Sequence, residues 1–410
     1  GRPIKQEKGE LAAWQSHTIA PASWTGFTVH SSIETQFDAM DRKTRETAKG
    51  SDGVAVSVTQ FSYDLSGRLE CTAVRMNPAA WGSLPASACT LGAEGNEGPD
   101  RITKNSYDAA GQLLKVTEAY ATVDQADEVT YTYTLNGKKQ TVTDANGNIA
   151  RLEYDGHDRQ VRWRFPSKTA VGTVSTDDYE EYGYDANGNR TSLRKRDGSV
   201  LTYQYDNLNR MTVKVVPERS GLAATHTRDV YYGYNLQGLQ TYARYDSASG
   251  EGVAQAYDGF GRMTSSSLTM DGITRTLSYQ YDKNASRTEL TWPDGTKASY
   301  SYDGLDRMAK LYEGALGSTT NMVDFAYNNK GQIISETGRY GQANGFGYDP
   351  VGRLNILTIN PTGTADDVTF GFGYNPASQM ASRSISNDGY LWSGLVAVDR
   401  DYAVNGLNQY

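Results

Sequence analysis

Cysteine and histidine are scarce in this chain, with two and four copies in 410 residues. His17, His30, His157 and His226 show no ligand spacing and no cysteine companions, which argues against a zinc centre. With so few histidines, and no serine in a strand-turn-helix setting, a Ser-His-Asp hydrolase has no support. No run of about 18 apolar residues is present, so nothing crosses a bilayer as a helix. There is no block of Lys or Arg to mark a nucleic-acid footprint, and a formal charge of −8 with a pI near 5.2 points the same way. The two cysteines, Cys71 and Cys89, lie in one irregular segment. A disulfide between them suits an oxidising compartment, and two separate buried thiols are equally compatible with the sequence.

Tyrosine and glycine are abundant instead, at 29 and 42 residues, while apolar residues make up only 38%. Tyrosine buries a ring and keeps a polar handle, so such a chain can still build an interior. Together the two residue types favour strands and tight turns. The tyrosines are also ordered. An aromatic followed by Asp, Asn or a small residue recurs at Phe37, Tyr63, Tyr107, Tyr133, Tyr154, Tyr184, Tyr205, Tyr234, Tyr257, Tyr281, Tyr302, Tyr327, Tyr348, Tyr374 and Tyr402, about one anchor per 26 residues. Steps of 21 residues recur, as from 133 to 154 and 281 to 302, and only the 44-residue step from 63 to 107 is far out of line.

Each unit has one physical logic. Residues leading into an anchor alternate, as in Val129/Tyr131/Tyr133, Leu201/Tyr203/Tyr205 and Phe370/Phe372/Tyr374, which is the period of a strand with one aromatic face. The following Asp (Asp64, Asp108, Asp155, Asp185, Asp206, Asp258, Asp282, Asp303 and Asp349) is suited to begin a turn, because its carboxylate can accept from N–H groups just ahead. Asn takes that place at 235, 328 and 375. Glycine often sits three residues after the Asp, where a positive φ is cheap. Arg follows at 68, 262 and 353 and closes other units at 159, 210 and 307, able to pair with the Asp or cover the next strand with its stem. Second turns such as "DANGN" and "PDGT" lie between anchors and read as hairpins. The predicted unit is strand, turn, strand, hairpin turn.

Units such as Tyr63-Asp64-Leu65-Ser66-Gly67-Arg68, Tyr257-Asp258-Gly259-Phe260-Gly261-Arg262 and Tyr348-Asp349-Pro350-Val351-Gly352-Arg353 resemble the YD repeats of the Rhs family, which includes shell-forming components of bacterial Tc toxins and, more distantly, teneurins. The resemblance spans roughly 31–410. It implies an all-β fold, antiparallel strands and hairpins wound into a spiral shell, part of a hollow cocoon. It also implies a function: a non-catalytic wall enclosing a toxic C-terminal polypeptide until delivery. The implied partners are the rest of the same Rhs polypeptide with its enclosed toxin, and a secretion or delivery apparatus. The implied location is outside the cell or at its surface. No nucleic acid and no cofactor is expected. The alternative from the residues is a surface adhesion or glycan-binding module using exposed rings.

Along the chain, 1–30 carries no clear repeat, with Trp14, Trp24 and Pro21, and reads as a leading segment. The array occupies 31–410 with an insertion at 71–103, which could hold a short helix or a compact loop. The chain opens on Gly1 and stops at Tyr410 in mid-pattern, so it reads as a piece of a longer protein. Three chemical readings are weaker than their structural counterparts. "DANGN" at 144–148 and 185–189 has the oxygen spacing of a calcium loop but lacks the Gly and Glu of an EF-hand at positions 6 and 12. The repeated Asp residues read as turn formers and select no catalytic pair. Asp349-Pro350-Val351-Gly352 matches the pattern of self-cleaving relatives, yet it lies in register with the repeat and reads as an ordinary turn. The tyrosine stripe reads as adhesive between strands, since a binding site needs a few rings and a sheet needs all of them.

Overall fold

A computed structural model of the chain describes residues 2, 4–13, 15–16, 18–20, 23–317, 321–361, 365–387 and 389. Trp14, His17, Pro21, the anchor at Tyr402 and the closing "NGLNQY" lie outside the described residues. The described chain is all-β, with 29 strands and two single-turn 3-10 helices, Pro78–Ala80 and Ala224–His226. Chain neighbours pair antiparallel throughout the pairings within each of two compact units. The first unit comprises Gly1–Tyr131 and Phe325–Arg400, and the second is Thr132–Asp324.

The anchors mark strand ends without exception among the described residues. Phe37, Tyr63, Tyr107, Tyr133, Tyr154, Tyr184 and Tyr205 each end a strand, as do Tyr234, Tyr257, Tyr281, Tyr302, Tyr327, Tyr348 and Tyr374. In twelve of the pairings that follow, the register slips by one residue immediately before the anchor. Ser62 faces Cys71 while Tyr63 faces Leu69, leaving Glu70 as the extra residue. Such a bulge sharpens the local twist and re-aims the side chain beside it. Because strands alternate in direction, all anchored turns of a unit lie on one rim of its sheet. The plain hairpins, such as Gly50–Gly53 and Trp292–Gly295, lie on the opposite rim.

The leading segment 1–30 contains a strand. Lys5–Leu11 is already a strand, paired with Phe27–Phe37, so part of 1–30 belongs to the sheet. The insertion is likewise narrower than 71–103. Leu69–Val74 and Arg101–Tyr107 are ordinary paired strands, and only 75–100 departs from the array. The reason is local: Cys71 and Ala73 alternate inward on their strand like any other repeat residues.

Within the first unit, the early and late parts of the chain meet rim to rim. Asn329, on the anchored turn after Tyr327, donates to Glu10 Oε1 at 2.6 Å. Pro350, on the next anchored turn, sits against Gly50 so closely that a Cβ at Gly50 would fall 2.3 Å from Pro350 Cβ. Only glycine fits there.

Candidate functional site

The repeated turn is the first place to look for function, and its geometry is the same in nearly every copy. Asp64 Oδ1 accepts from the Ser66 and Arg68 N–H groups, both at 2.9 Å, and Asp64 Oδ2 accepts from Arg68 Nε at 2.7 Å. The main chain closes the loop, with Asp64 N–H on Arg68 O and Gly67 N–H on Asp64 O. Asp155, Asp206, Asp258, Asp303 and Asp349 repeat this with their own Arg. Asp108, Asp185 and Asp282 hold the same backbone N–H with Gln112, Asn189 and Ser286 in place of Arg. At Thr134 a hydroxyl does the work of the carboxylate. The residue four after each anchor has positive φ in all fourteen described turns: Gly at 67, 111, 137, 188, 238, 261, 331 and 352, and Asp41, Asp158, Asn209, Ala285, Asp306 and Ser378 in the rest. A type I turn closed by a left-handed residue is the three-residue hairpin loop that matches a bulged strand end.

Neighbouring turns are tied in both directions. Looking back, the hydroxyl of an anchor tyrosine donates to the main-chain carbonyl six residues after the preceding anchor. Tyr63 donates to Lys43 O, Tyr107 to Leu69 O, Tyr184 to Gln160 O, Tyr205 to Arg190 O and Tyr281 to Met263 O, all at 2.7–2.9 Å. Tyr154, Tyr234, Tyr257, Tyr302, Tyr348 and Tyr374 do the same. Looking forward, the turn Arg reaches the next turn. Arg68 Nη1 donates to Asp108 O at 2.9 Å, and its guanidinium lies 4.7 Å from the Tyr107 ring centre. Arg159 and Arg262 make both contacts with Asp185/Tyr184 and Asp282/Tyr281. The anchor rings are half-buried, and six of them, Tyr63, Tyr107, Tyr184, Tyr234, Tyr281 and Tyr374, are roofed by the Arg of the preceding turn.

The electrostatics are those of a fastening. Hydrogen bonds from the Arg210 and Arg307 side chains, then from their N–H groups, hold the Asp206 and Asp303 carboxyls below the ordinary carboxylate value. At Asp155 burial opposes the charge, but the Arg159 and His157 N–H groups and the Arg159 guanidinium outweigh it and bring the carboxyl down to about 2. Burial pushes the hydroxyls of Tyr154, Tyr205, Tyr234 and Tyr302 up, so they stay protonated donors. The two "DANGN" copies show how far the turn chemistry is independent of position. Asp144 lies on the opposite rim and Asp185 on the anchored rim, yet in each Oδ1 accepts the N–H of the closing Asn. His157 occupies a turn tip and donates its N–H to Asp155. Among the described residues no group of three His, Cys, Asp or Glu is placed to hold a metal ion.

The insertion is a second candidate; the sequence reading left its disulfide open and missed its buried ion pair. Cys71 and Cys89 are joined in a disulfide, with Cα atoms 5.3 Å apart. They pack with Ala73, Ala88 and Ile102 in a small sealed cluster, against Leu91 and Tyr120. Arg75 is 1% exposed and Asp100 5%, and they pair at 2.5 Å. Arg75 also holds Gln60 Oε1, Thr90 O and Ser87 O, and Asp100 accepts from the Met76 and Gly92 N–H groups. Every charge in this pocket is satisfied, as burial demands. The loop lies across the face carrying Arg45, Gln60 and Ser62, which bond Trp81 O, Pro85 O and the Ala88 N–H. The only helix in it is the single turn Pro78–Ala80, capped by Asn77.

Comparison with known proteins agrees with this geometry. The Teneurin YD-shell family model matches residues 28–224. The crystal structure of TcdB2-TccC3-TEV aligns over 88% of this chain with a TM-score of 0.52 at 12% identity. That of TcdB2-TccC3 without hypervariable C-terminal region aligns over 86%, with a TM-score of 0.50 at 14% identity. The chain is similar to the YD-repeat shells. Its antiparallel sheet shares the fold of those shells. The tRNA3(Ser)-specific nuclease WapA of Bacillus spizizenii is 26% identical over 332 residues, 73% of this chain. The chain spans 13% of that protein and about a fifth (22% and 18%) of the two shell structures. No helix among the described residues is long and apolar enough to cross a membrane.

Proposed function

We propose that this YD-repeat chain is a non-catalytic section of an Rhs-type cocoon that encloses and protects a toxic C-terminal polypeptide until delivery outside the producing cell. The observation that carries the reading is the fastening of neighbouring turns: a tyrosine hydroxyl back in eleven of them, and a guanidinium forward to the next turn's carbonyl from Arg68, Arg159, Arg210, Arg262 and Arg353. A wall made this way leaves few free strand edges and little main chain for a protease. A hypervariable C-terminal region named for TcdB2-TccC3 and a nuclease named for the WapA relative are consistent with a constant wall and a variable cargo. The partners are then the remaining shell, its enclosed toxin and a delivery apparatus. Adhesion through the anchor rings is disfavoured, because the rings are half-buried and eleven of their hydroxyls are already engaged on backbone carbonyls.

The test uses the natural full-length polypeptide. Limited proteolysis should leave its C-terminal region intact long after the same region, produced alone, is digested, and imaging should show a hollow particle. Equal digestion rates, or a solid particle, would overturn the reading. Binding on a glycan array, lost on mutating non-anchor rings, would favour adhesion instead.

A further inference from the structure

The two faces of the second unit's sheet differ in kind. Alternation puts the anchor rings on one face. The other carries hydroxyl pairs between neighbouring strands, as Thr132 with Thr141 and Ser267 with Thr276. One patch of that second face breaks the pattern. Arg151, Arg162, Arg164 and Arg194 share it with Glu153 and Glu181, on the successive strands Ile149–Tyr154, Gln160–Pro166, Val174–Tyr184 and Arg190–Arg194. The register sets Arg151 opposite Arg164, Glu153 opposite Arg162, and Glu181 between Arg162 and Arg194.

The charges in this patch do not balance. Glu153 pairs with Arg162 and Arg164, and Glu181 pairs with Arg162, which leaves two guanidiniums over. Arg194 spends Nη1 on the Tyr179 and Lys195 carbonyls. Arg151 is exposed, and among the described residues neither it nor Arg194 has a carboxylate at ion-pair distance. Arg162, Arg164 and Arg194 also crowd a single ring, 4.9, 5.3 and 3.9 Å from the Tyr179 centre. Further along the same face Lys297 has Glu289 and Lys310 has Asp324. Like charges directly opposite on paired strands destabilise a sheet, and the whole chain carries −8. The patch is therefore a local reversal of sign held at a cost, which a bound anion would offset.

A carboxylate is the matching group, since it can take two N–H groups of one guanidinium at once. A nucleic-acid strand suits the patch less well. It is charged at every step and would meet Glu153 and Glu181 inside the patch. A peptide can set its acids over Arg151 and Arg194 and place neutral residues between them. We propose that this patch is a docking surface for an extended acidic polypeptide segment, with one carboxylate bound by Arg151 and another by Arg194 beside Tyr179. The surface belongs to one face of one unit and does not depend on the cocoon reading, so either can fail alone.

The probe is a fluorescein-labelled peptide of alternating Glu and Ser, followed by fluorescence polarisation against the 410-residue chain. It should bind at low salt and weaken as salt screens the exposed charges. Arg151→Gln with Arg194→Gln should weaken binding about tenfold or more. Arg151→Lys with Arg194→Lys should weaken it less, because charge stays while the planar fork is lost. Lys8→Gln with Lys283→Gln removes the same charge from exposed sites off the patch and should change little. Arg151→Gln alone should keep the unfolding midpoint at or above the parent's, and it serves in the binding measurement if the double variant unfolds. No binding at low salt would overturn the proposal. So would binding that survives the arginine changes, or an equal loss from the lysine pair. A DNA strand of the same charge binding more tightly than the peptide would also overturn it, as would a lowered midpoint for Arg151→Gln, because the arginine would then serve the fold.

Discussion

The insertion and the repeat array solve the same problem in opposite ways. Between Val58 and Ile102 lie seven of the twelve buried apolar residues among the described positions, with a disulfide and a sealed ion pair. There stability comes from sequestration, and each group depends on several distant ones. Elsewhere the sheet buries little completely. Its turns are held by half-exposed ion pairs, roofed rings and one hydroxyl bond per unit, each modest and each repeated. A dense knot should fail all at once, whereas a fastened row should fail unit by unit.

The largest effect is expected in the knot. Arg75→Met leaves Asp100 buried without its partner and should cost about 3–5 kcal/mol, read by urea unfolding with Trp81 fluorescence as the local probe. Arg75→Met with Asp100→Leu should cost less than the single change, and an additive loss would break the account. Replacing Cys71 and Cys89 by Ala should cost about 2–4 kcal/mol, concentrated in hydrogen exchange of 75–100.

Acid should work on the array. The turn carboxyls titrate lower in the folded chain than the ordinary 3.8, Asp155 at about 2. The folded state therefore binds fewer protons, so this stability is complete above about pH 4–5 and is lost as pH falls towards 2. Unfolding midpoints that stay flat across that window would contradict the carboxylate's role. Tyr184→Phe removes one donor to Gln160 O and should cost about 0.5–1.5 kcal/mol, with faster exchange confined to the adjoining hairpins. A global change would mean the row is a single cooperative body. The smallest effect sharpens the comparison: Ala285 holds φ at 68°, so Ala285→Gly should stabilise by less than about 1 kcal/mol, seen as a slightly raised unfolding midpoint.

The array was legible because its signal is local and repeated. Tyr63 and Asp64 announce a strand end and a turn within two letters, and the copies confirm each other. Which partner the Arg would choose was left open, and Arg68 takes all of them: its own Asp, the next carbonyl and the next ring. The left-handed residue was visible where it is Gly67 and hidden where it is Asp158 or Ala285, since only the fold forces those residues into that conformation. The knot was illegible for a different reason. Arg75 meets Gln60, Ser87, Thr90 and Asp100 across separations of 12 to 25 residues, and no period links those positions. Nor did the sequence show that Asn329 and Pro350 would find Glu10 and Gly50 some 300 residues away.

The tyrosine bond has a consequence for how such chains change over generations. Its acceptor is a backbone carbonyl, a group every residue supplies, and its donor is the same in each hairpin. Cutting out one whole hairpin, or copying it, joins an unchanged donor to an equivalent acceptor. A gene encoding this protein can therefore grow or shrink by interchangeable parts, and the length of the finished product is free to drift while its joints stay the same.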